Sequence, residues 1–162
     1  MIKNIKDVAI LVQARLSSER CPRKMIRPFA GSNLVDVCLK NLKKSKVFSK
    51  ENIILAVGEP ELIEVGIENG INVFERSEKS SQWDGGPHAH LTEMYEWWDK
   101  IPFKYVVLVN ACTPLLSIDT IDRFFTSYCE SDSNGAFAVM EKMNYFWDEG
   151  YNLLTPLRDA AM

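Results

Sequence analysis

The sequence predicts an α/β domain in which a mostly parallel sheet carries helices on both faces. Short apolar runs alternate with longer amphipathic stretches along the chain, as they do in successive strand–helix units. The runs are continuous rather than alternating in polarity, which is typical of parallel strands buried on both faces. The length of 162 residues, with 46% hydrophobic positions, suits one domain over residues 1–162.

Five apolar runs are expected to form strands. Each is rich in Val, Ile, Leu, Ala or Phe, and such short buried runs favour strands when turn or helix signals bound them. In chain order, the predicted strands are residues 8–13, 52–57, 71–74, 105–109 and 135–140.

The amphipathic stretches between these runs are expected to form helices. In chain order, they are residues 32–45, 60–70, 87–99 and 117–129. Either Ser32 or Asn33 caps the first helix, and Ser117 caps the last. Pro60 suits the first turn of the second helix, which Gly70 ends.

Composition and charge argue against several classes of function. The chain has 19 Lys and Arg residues against 22 Asp and Glu residues, and a net charge of -3 is a poor match for a nucleic-acid-binding protein. No apolar run approaches the roughly 20 residues of a membrane span, and the first residues lack the apolar stretch of a secretory signal. The 4 cysteines form no C-x-x-C pair, so we expect reduced thiols in a cytoplasmic protein.

The loop after the first strand concentrates cations and hydroxyls. Within residues 15–24 it carries Arg15, Ser17, Ser18, Arg20, Arg23 and Lys24. Guanidinium groups, hydroxyls and backbone N–H groups are the donors that a phosphate chain requires. The loop matches neither the Walker A nor the G-x-G-x-x-G pattern, and by charge alone a solvated basic loop is an equal alternative. Its position at the carboxyl end of a strand favours an anion site.

The same loop resembles the opening signature of the cytidylyltransferases that make CMP-activated acidic sugars. The matching residues are Gln13, Ala14, Arg15, Ser18, Arg20, Pro22 and Lys24, continued by Arg27, Pro28 and Gly31. A second block is similar to the segment after the family's central strand, and it comprises residues 110–116 with Ile118, Asp119, Ile121 and Asp122. The acylneuraminate synthetases and the spore-coat polysaccharide type are the members that the chain resembles.

The resemblance implies a Rossmann-like nucleotide-diphospho-sugar transferase fold. It also implies transfer of CMP from CTP to an acidic, nonulosonic-type sugar, with release of pyrophosphate. Arg15 and Lys24 would be catalytic by holding the triphosphate, because charge neutralisation and positioning dominate such reactions. The implied nucleotide-binding residues are Gln13, Ala14, Arg15, Ser17, Ser18, Arg20, Lys24 and Arg76. The implied acceptor-binding residues are Asn110 and Thr113.

The resemblance further implies Mg²⁺ as cofactor and a homodimer as the assembly. The family binds magnesium through an acidic motif near its C-terminus, and this sequence reaches Met162 before such a motif, so no metal ligand is identified. We therefore expect that the C-terminal portion of the family is missing. A catalytically silent nucleotide-binding or scaffold domain is the alternative function, and a nucleotide-sugar-using glycosyltransferase ranks lowest.

Several substitutions, among them Met25 after Lys24, separate the chain from the pattern of the family that it resembles. Asn110 stands where sialic acid synthetases commonly have Gln, and Leu116 stands where they have Arg. Because both changes would alter contacts to the acceptor, sialic acid itself is a poor expectation. Cys112 stands where related families place an Asp, and a small buried residue is favoured over a nucleophile because no His is tied to it.

Two further groups each allow a structural and a functional interpretation. Two histidines and an aspartate could bind a metal, but a loop or capping role is favoured because a third convincing ligand is lacking; they are His88, His90 and Asp84. An aromatic cluster is expected to pack in the core, with an oligomer surface as the alternative; it comprises Tyr95, Trp97 and Trp98.

The aromatic run at residues 145–147 also allows two interpretations. It either begins a dimerisation arm, as the family's middle region often does, or is buried in the domain.

Overall fold

The computed structural model describes residues 2–82, 90–139 and 145–154. The strands are β1 (Val8–Gln13), β2 (Ile53–Val57), β3 (Asn72–Glu75) and β4 (Tyr105–Val109). The helices are α1 (Leu34–Leu42), α2 (Pro60–Glu68), α3 (Glu78–Ser81), α4 (Leu91–Met94) and α5 (Ile118–Glu130). Short 3₁₀ helices at Ile5–Asp7 and Lys50–Asn52 precede β1 and β2.

All four strands are parallel and lie in the order β3-β2-β1-β4. In β1, Ile10 pairs with Ile53 on one side and with Val107 on the other. The chain builds the sheet outward from β1 to β3 and then crosses back to place β4 on the opposite side of β1. The order therefore reverses at the boundary between β1 and β4, which is where ligands bind in open α/β sheets.

The longer helices α1, α2 and α5 cover one face of the sheet. Their apolar stripes meet the inward side chains of alternate strand positions, so that Leu39, Leu62 and Phe125 are fully buried beside the sheet. The ring centroids of Phe48 and Phe125 lie 5.2 Å apart in this core. Burial of this apolar surface is the main stabilising contribution to the fold.

The opposite face is covered by α4 and the turns that follow it. Trp97 is 6% exposed and packs with Ala9 and Leu11 of β1, flanked by Tyr95, whose ring centroid lies 5.4 Å from that of Trp97. The predicted core position of Trp97 is thus confirmed, whereas Trp98 is 58% exposed. The predicted fold class, a parallel sheet covered on both faces, is also confirmed.

The predicted helix ends are largely confirmed. Of the two candidates for the first cap, Asn33 accepts a hydrogen bond from the Asp36 backbone N–H over 2.9 Å. Ser117 accepts one from the Thr120 backbone N–H over 3.2 Å at the start of α5. Gly70 follows α2 with φ of +63°, the left-handed conformation that glycine adopts without a steric penalty.

The predicted helix over residues 87–99 is confirmed for only one turn of its described part. Only Leu91–Met94 is α-helical, and residues 87–89 lie outside the described residues. The Met94 carbonyl accepts hydrogen bonds from the side chains of Gln13, Ser80 and Arg76. The Met94 carbonyl thus accepts hydrogen bonds from side chains instead of from a further helical N–H, and Trp97 packs against the sheet. The helix therefore ends after one turn.

The predicted strand over residues 135–140 is wrong for its described part. Residues 135–139 form no strand, and Phe137 and Val139 are each 89% exposed, while Met140 lies outside the described residues. β-propensity reflects packing on a pleated surface, and a strand requires a neighbour for its ladder hydrogen bonds. No described strand flanks this segment, so its apolar pattern does not produce one.

The described helices include none with both the length and the apolar character that crossing a bilayer would require.

Candidate nucleotide site

The carboxyl ends of the parallel strands bring the two sequence-predicted loops side by side. Val12 of β1 pairs with Val109 of β4, so the loop after Gln13 and the loop after Val109 leave the sheet as neighbours. Ala14 is the first residue after β1 and is 3% exposed, and Ala111 is the second residue after β4 and is 1% exposed. Two small buried residues thus lie where these loops begin.

The basic loop, defined here as residues 14–25, alternates anchored and exposed positions. Leu16 and Met25 are buried in the core, while Arg15, Ser17 and Arg20 are exposed and Ser18 and Lys24 are half-buried; these are the positions of the sequence-predicted site residues. The Leu16 carbonyl accepts hydrogen bonds from Ser18 N–H over 2.8 Å and from Arg23 N–H over 3.1 Å. The loop therefore closes on itself and presents its cations outward.

Two glutamates at the start of α2 contact the basic loop. The Leu16 N–H donates to Glu59 Oε1 over 2.6 Å, and Arg23 Nη2 lies 2.9 Å from Glu61 Oε1. Arg23 adopts φ of +55°, a left-handed conformation that is uncommon for a residue with a side chain. The loop thus contacts the start of α2 at two points, through a backbone hydrogen bond to Glu59 and through an exposed ion pair with Glu61.

Gln13, predicted to bind the nucleotide, is used within the protein. Its Oε1 accepts a hydrogen bond from Trp97 Nε1 over 2.8 Å, and its Nε2 donates to the Met94 carbonyl over 3.3 Å. Gln13 therefore ties the end of β1 to the segment that covers the second face of the sheet.

Arg76, the predicted nucleotide anchor after β3, is 6% exposed. Its Nε donates to Ser80 Oγ over 3.0 Å, and its Nη2 donates to the carbonyls of Ser80 and Met94. Burial lowers the pKa of Arg76, the Glu59 carboxylate acts in the opposite direction, and the charge of Arg15 lowers the pKa further. Gln13 and Arg76 thus meet at one carbonyl oxygen; their contact with a nucleotide stays a prediction.

The predicted acceptor residues form a tight turn after β4. Asn110 Oδ1 accepts a hydrogen bond from Cys112 N–H over 2.8 Å, and Thr113 Oγ1 donates to the Asn110 carbonyl over 2.7 Å. Both residues are exposed, and both border a small cavity between α1 and this turn. Cys38, Asn41 and Leu116 are among its other lining residues.

Cys112 lies near Cys38 of α1. Burial, with a smaller contribution from Cys112, raises the pKa of the Cys38 thiol to about 12. Such a thiol stays protonated and unreactive at neutral pH. Cys112 itself is half-buried against the main core, which agrees with a small packing residue rather than a nucleophile.

The described residues do not fit a metal site built from protein ligands. No group of three His, Cys, Asp or Glu side chains that could hold a metal ion occurs within residues 2–82, 90–139 and 145–154. His90 caps α4, its Nδ1 accepting from Thr92 N–H over 3.3 Å, as the capping interpretation predicts. His88 and Asp84 lie outside the described residues.

Sequence reasoning missed Glu59 and the Met94 carbonyl. Glu59 carries a recognisable signal, because it follows β2 at the same edge of the sheet as the basic loop. The Met94 carbonyl carries none, since any residue has a carbonyl group and only the fold brings donors to this one.

Comparison with known proteins identifies relatives of this chain. Residues 9–152 match the sequence profile of the family described as Cytidylyltransferase. The pseudaminic acid cytidylyltransferase of Campylobacter jejuni is 27% identical over 135 residues, covering 81% of this chain and 57% of the relative. The spore coat polysaccharide biosynthesis protein SpsF of Bacillus subtilis is 28% identical over 81 residues, covering 46% of this chain and 34% of the relative. The resemblance stated from the sequence is thereby confirmed.

Solved structures show the same fold. A cytidylyltransferase from Leptospira borgpetersenii superimposes with a TM-score of 0.60 at 24% identity, over 75% of this chain and 48% of the other. A CMP:2-keto-3-deoxy-manno-octonic acid synthetase complexed with CTP gives a TM-score of 0.60 at 12% identity, over 75% of this chain and 46% of the other. The chain spans about half the length of these two structures and of the Campylobacter relative.

Proposed function

This chain belongs to the cytidylyltransferase family, and on that premise we propose that it transfers CMP from CTP to an acidic, nonulosonic-type sugar with release of pyrophosphate. The observation that carries the proposal is the basic loop at the reversal point of the sheet. There the exposed Arg15 and Arg20 and the half-buried Lys24 extend from a backbone held by buried core residues and by Glu59.

In the proposed reaction, a hydroxyl oxygen of the sugar attacks the α-phosphorus of CTP. A new phosphorus–oxygen bond forms, the bond to the β-phosphate oxygen breaks, and the hydroxyl proton is lost to solvent or to a phosphate oxygen. Arg15 and Lys24 would hold the triphosphate and offset the charge that builds on the leaving pyrophosphate. Ser17, Ser18 and Arg20 would supply further donors to the phosphate oxygens.

Asn110 and Thr113 would bind the acceptor sugar. Their turn leaves the sheet beside the basic loop, so a sugar held there would lie close to a nucleotide held by Arg15. The nonulosonic class is supported by the relatives named as pseudaminic acid cytidylyltransferases. Asn110 and Leu116 replace residues of the sialic acid synthetase pattern, which favours a nonulosonic acid other than sialic acid.

Mg²⁺ is the proposed cofactor on the family resemblance, although the described residues do not fit a protein-held site. When bound, Mg²⁺ would polarise phosphate oxygens. The alternative function is a nucleotide-binding or scaffold domain without catalysis, which the same basic loop would also serve.

A homodimer is the proposed assembly, with residues 145–154 as the contact. This segment folds back on itself, since Leu154 N–H donates to the Phe146 carbonyl over 2.7 Å and Trp147 bridges to Leu153. It exposes large apolar side chains that are between 58% and 87% accessible, namely Tyr145, Phe146, Trp147, Tyr151 and Leu154. Exposed apolar patches of this kind mark protein interfaces.

The cytoplasm is the proposed location. The four cysteines are free thiols, two of them near each other at Cys38 and Cys112, as expected in a reducing compartment.

The test measures pyrophosphate release from CTP and Mg²⁺ with a panel of acidic sugars, alongside thermal stabilisation by CTP. Turnover that Arg15→Ala and Lys24→Ala each reduce at least about tenfold supports the transferase. Lys44→Ala, which removes an exposed cation outside the loop, is the matched control and should leave turnover unchanged. Stabilisation by CTP without turnover supports the silent domain, and CTP binding that is absent or insensitive to both loop variants overturns both functions.

A further inference from the structure

Glu59 lies at the start of α2, but its side chain reaches the basic loop. It occupies the N-cap of α2, yet it makes no side-chain hydrogen bond to its own helix. Its Oε1 instead accepts a hydrogen bond from the Leu16 backbone N–H over 2.6 Å, in a loop that follows a different strand. The carboxylate of Glu59 thus connects the start of α2 to the basic loop.

The second oxygen of this carboxylate is buried without a partner. Glu59 Oε2 has almost no accessible surface and no hydrogen-bond donor among the described residues. A buried acceptor without a donor costs free energy, and such exceptions in a folded protein call for an explanation. The hydrogen bond to the loop is maintained despite this cost.

The contact lies one residue after the predicted catalytic arginine. Leu16 is 8% exposed with its side chain in the core, whereas the preceding Arg15 is exposed. Because Glu59 accepts the hydrogen bond of the Leu16 N–H, it restrains the backbone from which the Arg15 side chain extends.

Glu61 offers an internal comparison. It also lies at the start of α2 and also contacts the basic loop, through Arg23, but the side chains of this pair are 48% and 55% exposed. Exposed ion pairs contribute little because solvent screens them and side-chain entropy opposes them. Both residues are glutamates at the start of α2. Glu59 accepts a hydrogen bond from a backbone N–H of the loop, whereas Glu61 pairs with an exposed side chain of the loop.

We propose that Glu59 is a positioning residue for the triphosphate, which holds the basic loop in its binding conformation through the Leu16 N–H. This inference rests on the proposed function, because it assumes that the loop binds CTP. It depends on the reach of an oxygen acceptor to Leu16 and not on the negative charge of Glu59.

Two substitutions of Glu59 separate the reach of its side-chain oxygen from its negative charge. Glu59→Gln keeps an oxygen at the same reach and removes the charge, whereas Glu59→Asp keeps the charge and withdraws the oxygen by one methylene. Glu59→Ala removes both, and Glu61→Ala is the matched control. For each full chain, CTP affinity with Mg²⁺ is measured by calorimetry, hydrogen exchange reports the Leu16 amide, and circular dichroism reports the fold.

We expect CTP affinity to fall about tenfold or more in Glu59→Asp and Glu59→Ala, and the Leu16 amide to exchange about tenfold faster. Glu59→Gln should retain the wild-type affinity and exchange within about threefold, and Glu61→Ala should do the same. This rescue by Gln separates positioning from a general loss of stability. If Glu59→Ala fails to fold, the CTP affinities of Glu59→Asp and Glu59→Gln still test the proposal.

Three results would overturn the proposal. Equal CTP affinity in wild type, Glu59→Asp and Glu59→Ala would show that the contact does not position the loop. If Glu59→Gln loses CTP affinity and Glu59→Asp keeps it, the effect would come from the negative charge of Glu59 and not from the reach of its oxygen. A wild-type chain that binds no CTP would overturn the proposed function itself, and the hydrogen exchange of Leu16 would then report only whether Glu59 anchors the loop.

Discussion

The indole Nε1 of Trp97 donates a hydrogen bond over 2.8 Å to the side-chain oxygen of Gln13, the last residue of β1. The same Gln13 amide donates to the Met94 carbonyl, so one side chain joins the central strand to the segment over the second face of the sheet. A residue that sequence similarity assigns to nucleotide binding thus has a structural role at the edge of the site.

Gln13→Leu removes these hydrogen bonds at similar volume. It leaves the Trp97 N–H, which is largely buried, without its acceptor, so we expect the free energy of unfolding to fall by about 1–3 kcal/mol. Urea unfolding followed by circular dichroism measures the change, and Trp98→Phe, at an exposed ring, should stay within about 0.5 kcal/mol. A Gln13→Leu chain as stable as wild type would contradict the structural role.

Gly58→Ala should destabilise the edge of the site. A Cβ at Gly58 would clash with Ser81 Oγ and lie 3.0 Å from the Arg76 carbonyl, so the Ser81 side chain or the neighbouring backbone has to shift. We expect a loss of about 1–3 kcal/mol in thermal or urea unfolding.

Two further variants test the cause of that loss. Ser81→Gly in the same chain removes the clashing hydroxyl and should recover part of the stability, whereas Gly135→Ala, where a Cβ meets nothing within 4 Å, should be nearly neutral. Failure of Ser81→Gly to recover any stability would rule out this steric explanation.

Lys3→Met should weaken the attachment of the N-terminus to α5. Lys3 is 4% exposed, and its Nζ donates to the Ser131 carbonyl over 2.6 Å and lies 4.5 Å from the centre of the Tyr128 ring. Losing a charged donor and a cation–π contact should lower the free energy of unfolding by about 1–3 kcal/mol. Lys6→Met, at an exposed lysine, is the control; equal effects of both substitutions would disprove a specific role for Lys3.

Asp36 should make stability depend on pH in the acid range. Burial acts to raise its pKa, but hydrogen bonds from Lys40, Ser32 and Asn69 outweigh burial and lower the pKa from 3.8 to about 2. Because the folded pKa lies below the unfolded one, this contribution of about 2 kcal/mol is present above pH 4 and lost as the pH falls towards 2.

Urea unfolding of wild type and Asp36→Asn at several pH values between 6 and 2 tests this linkage. The stability advantage of wild type should shrink by about 2 kcal/mol across the acid range. Glu96, whose pKa is also lowered to about 2, is present in both chains and cancels in the difference. A difference that stays constant with pH would contradict the assignment.

The local features of this fold could be predicted from the sequence because their causes are local. β1 and β4 occur at the predicted residues, β2 begins one residue later than predicted, and β3 is shifted by one residue at both ends. Asn33 and Ser117 cap the starts of their helices through hydrogen bonds to residues three positions later. Gly70 follows the end of α2 in a left-handed conformation that depends only on its own lack of a side chain. The predictions failed at residues 95–99 and 135–139, where the outcome depends on partners elsewhere in the fold.

The sequence alone therefore determined the α/β class, the family resemblance and the position of the basic loop after the first strand. Only the tertiary structure decided that β1 lies between β2 and β4, that Gln13 and Arg76 meet at the Met94 carbonyl, and that Glu59 holds Leu16. Periodicity and capping express contacts within a few residues, whereas these contacts join residues far apart in the chain. Such pairings depend on the crossover connections of the sheet, which no short stretch of sequence encodes.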